Sequence, residues 1–147
     1  MLADDVGFLL SRVSGLAVRS TNAALAVHGL RVRQYAVLAL ATEVADGVSQ
    51  RDLAEGLGLD PSQVVLLVDE LAASGLVERR PSPNDRRTKL VAATAKGRRV
   101  GRKAEEGAAA ALRNELSALT DDEQRTLTGL LQRVLAGREE PEVDAAS

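Results

Sequence analysis

Three basic side chains, Arg86, Arg87 and Lys89, follow a Pro81-Ser82-Pro83-Asn84-Asp85 turn, and seven more stand between Gly75 and Lys103, where only Glu78 and Asp85 oppose them. That stretch carries ten basic and two acidic residues, or +8, so a net charge of −2 leaves −10 on the rest of the chain. A basic stripe on an acidic body can aim one face at a polyanion while the molecule stays soluble. Basic side chains on a turn can be pushed into a narrow minor groove, where the negative potential of a duplex is enhanced. Arg51, Arg79 and Arg80 are further candidates for phosphate contact. The chemistry is recognition rather than catalysis: the chain has one His and no Cys, and it lacks a phosphate-cradling glycine loop and paired metal ligands. The acidic run Asp121-Asp122-Glu123 is explained by a helix N-terminus, where carboxylates cap and meet the dipole. No catalytic residue, metal site or cofactor is expected.

Positioning those groups requires a scaffold, and 147 residues suffice for a single domain spanning 1–147. Ala, Leu and Val dominate the apolar residues, with one Phe (Phe8), one Tyr (Tyr35), no Trp and no Ile, a mixture that favours helices. Spacings of three and four over Val6, Leu9, Leu10, Val13 and Leu16 predict a first helix to about Val27. After Gly29, the stripe Val37, Leu40, Ala41 and Val44 predicts a second, ending at Asp46-Gly47. Ser49 caps a short third helix with Asp52 as its reciprocal partner; Leu53, Ala54 and Leu57 face inward, and Gly58 closes it. Asp60, Pro61 and Gln63 open a fourth helix over 60–74, with Val64, Leu67, Val68 and Leu71 buried. Leu76 to Arg80 and Lys89 to Ala93 form a hairpin whose tip and return edge, 81–89, carry the basic residues. Thr94 caps a long basic helix reaching Leu119. Thr120 and Glu123 box a last one with an apolar face of Leu127, Leu130, Leu131, Val134 and Leu135. The acidic tail after Gly137 reads as frayed.

Helix, tight turn, capped helix and basic hairpin make a winged helix-turn-helix in a mainly α fold with a small β-hairpin, and its second helix enters a major groove. If the fourth helix buries its Val and Leu stripe, Ser62, Gln63, Val65, Leu66 and Asp69 face outward. Gln63 can pair with adenine or serve as the capping partner, and Ser62 can reach a base edge or a phosphate. Val65 and Leu66 can meet thymine methyl groups or pack under the wing, the second being favoured for Leu66.

Leu53-Ala54, Gly58-Leu59, Val68-Asp69-Glu70-Leu71, Gly75-Leu76-Val77 with Arg79, Asp85-Arg86-Arg87 and Thr94-Ala95-Lys96-Gly97 together resemble the multiple antibiotic resistance regulator (MarR) family of bacterial transcription factors. The resemblance implies a homodimer built by terminal helices, 4–28 and 98–137, around a DNA-binding region, 31–97, that binds double-stranded DNA at a near-palindromic operator. It implies that Asp85 holds a neighbouring arginine, with Arg87 inserted in the minor groove and Arg86 on phosphate. It also implies a small-molecule effector, commonly an anionic aromatic, near the first, second and fifth helices, where His28, Arg33, Tyr35 and Leu38 are candidates. Arg98, Arg99, Arg102 and Lys103 form either a solvated face or intersubunit pairs with terminal acids. Where such recognition helices often carry Thr and Arg, Val65 and Leu66 stand here, so hydrogen-bond readout is thin. The competing reading is a winged-helix protein-interaction module without sequence-specific DNA binding. A cysteine-free chain with no signal-like start or long apolar run is expected to be cytoplasmic, with no membrane partner.

Overall fold

The computed structural model describes residues 1–138; the tail expected to fray beyond them lies outside the described residues. The chain divides after Leu112 into two compact units. The first holds α1 (Val6–Ala26), α2 (Val32–Glu43), β1 (Val48–Ser49), α3 (Gln50–Leu57), α4 (Pro61–Ala73), β2 (Val77–Pro81), β3 (Lys89–Ala93) and most of α5 (Ala95–Glu115). The second holds the end of α5 and α6 (Asp121–Ala136).

Local chemistry sets most boundaries. Ser49 Oγ accepts from the Asp52 N–H at 3.0 Å, which starts α3. The reciprocal bond expected of the Asp52 carboxylate is not formed, because aspartate is one methylene shorter than the Glu or Gln that reaches back in such a box. Gly58, at φ +64°, closes α3 in the left-handed region that costs glycine least. Leu59 then donates to the Ala54 carbonyl at 3.0 Å. The Asp60 N–H donates to Gln63 Oε1 at 3.2 Å, with Pro61 at the first helical position of α4.

All four residues of the expected α4 stripe are buried, as are Leu53 and Ala54 beneath them. They pack with Leu25, Val37, Leu38, Val77 and Val91 into one core that Ala104 and Ala108 of α5 complete. Val44 departs from the expected second stripe: α2 ends at Glu43, before the turn through Gly47, and leaves Val44 exposed.

The hairpin belongs to a three-stranded antiparallel sheet of order β1-β3-β2. Val77 pairs with Ala93 and Arg79 with Val91, while β1 adds Val48 opposite Val91 on the other side. The strand Val48–Ser49 is an element that hydrophobic patterning misses, since two residues have no period. The first wing strand also runs one residue later than expected, from Val77 to Pro81.

Thr94 fastens α5 at its start: its Oγ1 accepts from the Gly97 N–H at 3.0 Å and donates to the Gly75 carbonyl at 2.6 Å. Within the second unit, Thr120 Oγ1 accepts from the Glu123 N–H, and Glu123 Oε1 accepts from the Thr120 N–H. Hydrogen bonding from the Thr120 backbone N–H, and secondarily from its side chain, holds the Glu123 carboxyl below its ordinary value. The α5 helix stops at Glu115 rather than Leu119, because Gln124 of α6 donates to the carbonyls of Leu116 and Leu119 and so stabilises a turn there.

Candidate nucleic-acid interface

The tip of the hairpin is ordered by its own short side chains. Asp85 Oδ1 accepts from the Arg87 N–H at 3.0 Å, Oδ2 lies 3.4 Å from Thr88 Oγ1, and the Ser82 N–H donates to the Thr88 carbonyl at 2.8 Å. Asp85 thus holds its neighbour Arg87 through the backbone N–H and leaves the guanidinium free of it. The reason is reach: so short a side chain is satisfied by the turn it sits in. The side chains of Arg86, Arg87 and Lys89 are exposed and make no ion pair among the described residues.

The other candidate cations are already engaged. Arg79 reaches from β2 to Asp69 of α4 at 2.7 Å and to Gln50 of α3, with both Nε and Nη2 near its Oε1, so it ties three elements together. Arg80 pairs with Glu78, and Arg51 lies 3.6 Å from Glu55 on the next turn of α3. Those exposed pairs are worth little, roughly 0–1 kcal/mol. They can open toward a phosphate at small cost, whereas Arg79 has an architectural partner set to lose.

On α4, Ser62 and Val65 are exposed, and Val65 lines a cleft of about 500 Å³ with Gln50, Arg51, Ala54 and Gly58 between the two helices of the turn. Leu66 is 60% exposed. It does not pack under the wing; it faces a different groove of about 520 Å³ with Val18 and Asn22 of α1, Arg31 to Gln34, and Gln63, Leu67 and Glu70 of α4. A hundred-degree advance per residue separates it from Val65 and turns it toward α1. Gln63 spends its carbonyl oxygen on the cap, so bidentate pairing with adenine would need that bond to open.

The four residues expected at an effector pocket are not brought together. Arg33 lines the groove just described, whereas Tyr35 lines a smaller cleft of about 180 Å³ with Thr42 and Glu43 of α2 and Arg98 and Arg102 of α5. Leu38 is fully buried in the core, and His28 lies in the turn after α1 beside neither cavity. Arg98 and Arg102 thus border a cleft inside one subunit, and Arg98 donates to the Thr42 carbonyl at 3.5 Å. A basic helix after the wing is legible in sequence; which α2 residues it meets is not.

Burial, with the Glu105 carboxylate adding to it, raises the Tyr35 phenol above its ordinary 10.0. A raised folded value means that stability is complete below the ordinary tyrosine range and is lost as pH climbs through the folded value. Because Tyr35 is the chain's single tyrosine, its phenolate absorbance should titrate late in the folded protein and at the ordinary value in denaturant. Coincident curves would contradict the burial.

The arrangement matches that of known regulators. The sequence model of the MarR family matches residues 28–88. The HTH-type transcriptional repressor Rv2887 of Mycobacterium tuberculosis is 30% identical over 135 residues, covering 90% of this chain and 96% of that protein. The crystal structure of CouR from Rhodococcus jostii RHA1 bound to p-coumaroyl-CoA is 48% identical with a TM-score of 0.85, covering 91% of this chain and 94% of that one. A mutant MarR from Escherichia coli complexed with operator DNA is 30% identical with a TM-score of 0.77, covering 88% and 93%. Among the described residues, no helix is long and apolar enough to cross a membrane. With nine-tenths of the chain aligned and the turn, recognition helix and wing in place, the chain belongs to the MarR family of DNA-binding transcriptional regulators.

Proposed function

We propose that the protein is a homodimeric, ligand-responsive, cytoplasmic repressor whose helix 60–74 occupies the major groove and whose wing 81–89 enters the minor groove of a near-palindromic operator. The observation that carries this reading is the coincidence, on one sheet-linked unit, of an outward α4 face and three wing cations with no acidic partner among the described residues. Ser62 and Val65 meet base edges or methyl groups, Gln63 stays with its cap, and Arg51 and Arg80 release their acids for phosphate. Arg79 and Asp85 position the interface without needing to touch DNA. With hydrogen-bond readout so sparse, groove width read by the wing supplies much of the selectivity.

Dimerisation, through helices within 4–28 and 98–137, is supported by apolar faces too extensive to leave in water. Val6, Leu10 and Val13 are exposed on α1, and Leu130, Val134 and Leu135 are exposed on α6. A second copy covers them and sets two recognition helices about 34 Å apart. Truncation of either terminal helix should yield aggregation or loss of the dimer in sedimentation; a well-folded, soluble truncated monomer would refute the interface.

The effector is an anionic aromatic, free or as a thioester, in the groove that holds Arg31 and Arg33. CouR was crystallised with an aromatic acyl-CoA and Rv2887 with salicylic acid. Two guanidiniums beside Val18, Val32 and Leu66 give this groove the charge and apolar surface such a molecule needs.

Selection of bound fragments from a random DNA pool tests the reading, because it returns both specificity and half-site spacing. Failure to prefer any natural promoter over scrambled duplex at low salt would leave the protein-interaction module in its place. On the selected operator, replacing a cation that touches phosphate should reduce the slope of log affinity against log salt by roughly 0.9 for each phosphate no longer neutralised. Arg86→Ala and Lys89→Ala should do so, and Arg99→Ala should not.

A further inference from the structure

Among the described residues, Glu70 is the one acid lining the groove of about 520 Å³, and it belongs to α4. Its Oε2 accepts from Gln34 Nε2 at 2.6 Å and lies 3.3 Å from Arg31 Nη2. Gln34 in turn accepts the Arg31 N–H on its Oε1 at 3.0 Å, so the first turn of α2 and the middle of α4 share one carboxylate. The Glu70 side chain is 34% exposed and that of Arg31 is 69% exposed, so solvent screens the ion pair. Such a tie orients α4 and yields to a better anion.

From this geometry we propose that Glu70 is a positioning residue for the recognition helix and the built-in competitor of the effector. The inference rests on the effector groove proposed above and adds its regulation. With the groove empty, Glu70 holds Arg31 and Gln34 and fixes α4 against α2 for the operator. An incoming anion takes Arg31 for itself, its charge repels the Glu70 carboxylate, and the tie opens. Effector and operator then favour different states of one contact, which is the requirement for thermodynamic coupling between two sites. Gln63 lines the same groove while capping the first turn of α4, so a ligand there meets the recognition helix at its start as well as at its centre.

The test uses Glu70→Gln in the full-length protein, with p-coumaroyl-CoA and salicylate as probes, against an operator obtained by selection. Glutamine keeps the shape and accepts hydrogen bonds but does not repel an anion. The variant should bind a probe about fivefold or more tightly, hold the empty operator several-fold more weakly, and lose most of the wild-type ratio between operator affinities without and with probe; couplings of this kind span about 5- to 150-fold. A purely structural role would weaken operator and probe together. Gln34→Ala, which removes the shorter bond and leaves both charges, should weaken the empty operator and tighten the probe less than Glu70→Gln does, because the carboxylate still repels the anion. Release of the wild-type protein by a probe, with Glu70→Gln unchanged in probe affinity and ratio, overturns the switch and spares the effector groove. If neither probe binds the wild-type protein, the effector reading fails and the switch falls with it.

Discussion

Arg87→Ala should cost the dimer roughly 2–6 kcal/mol of operator affinity, from about 1–3 kcal/mol at each of two wings, while leaving the dimer intact. The size of the expected loss follows from preparation. The Arg87 N–H is held by Asp85, the Thr88 N–H donates to the Asp85 carbonyl at 3.0 Å, and the tip closes through Ser82, so its backbone would meet the proposed groove already ordered. Its guanidinium has no acidic partner among the described residues to give up. Fluorescence anisotropy on the selected operator, with sedimentation to verify the dimer, measures the effect. Asp85→Ala should loosen the tip and cost less, since the cation itself remains. Equal binding by Arg87→Ala and the parent would remove the wing from the mechanism.

The second large effect falls on stability. A Cβ added at Gly97 would lie 1.9 Å from the Leu76 carbonyl oxygen and 2.9 Å from its carbon, both backbone atoms that cannot swing aside. The same carbonyl accepts from the Thr94 N–H at 3.0 Å. Gly97→Ala must therefore push α5 from the strand entry and stretch the bonds that Thr94 makes to it. Overpacking of this kind costs about 1–3 kcal/mol, and a backbone neighbour places this case at the upper end. Gly101→Ala, one turn on, is the internal control: its added Cβ would meet Leu38 Cδ2 at an ordinary 3.6 Å and would gain up to about 1 kcal/mol in helix propensity. Chemical denaturation should show the two alanines moving stability in opposite directions. A Gly97→Ala protein as stable as the parent would mean that α5 does not approach the strand so closely.

What can be read from sequence divides along chain separation. The caps at Ser49, Asp60, Thr94 and Thr120 and the glycine stop at Gly58 are settled by residues within four positions of one another, and each sits where its residue types put it. The α4 stripe is legible because burial follows helical period. The engagement of Arg79 is not, because Asp69 and Gln50 come from two other elements. Leu66 points away from its expected place because direction depends on where α1 passes, which no local pattern states. The groove itself escapes sequence reasoning for the same reason: Asn22, Arg31 and Glu70 converge only through tertiary packing. A signal does exist, since Glu70 is the one acid of α4 besides Asp69, which pairs with Arg79, but nothing in the string names its partner.

The middle strand β3 pairs with the hairpin arm on one side and, through Val48, with the residues that open the helix-turn-helix on the other. In the proposed complex each subunit would therefore work as a caliper with a set gap: the stretch of duplex between finger and rod could not be lengthened without breaking strand pairing. On the proposed dimer, insertions inside a half-operator should abolish recognition, whereas any tolerance of altered length would have to come from its dyad. Promoters that drift under this regulator would then be free to vary at their centre and be held to one internal measure at their flanks.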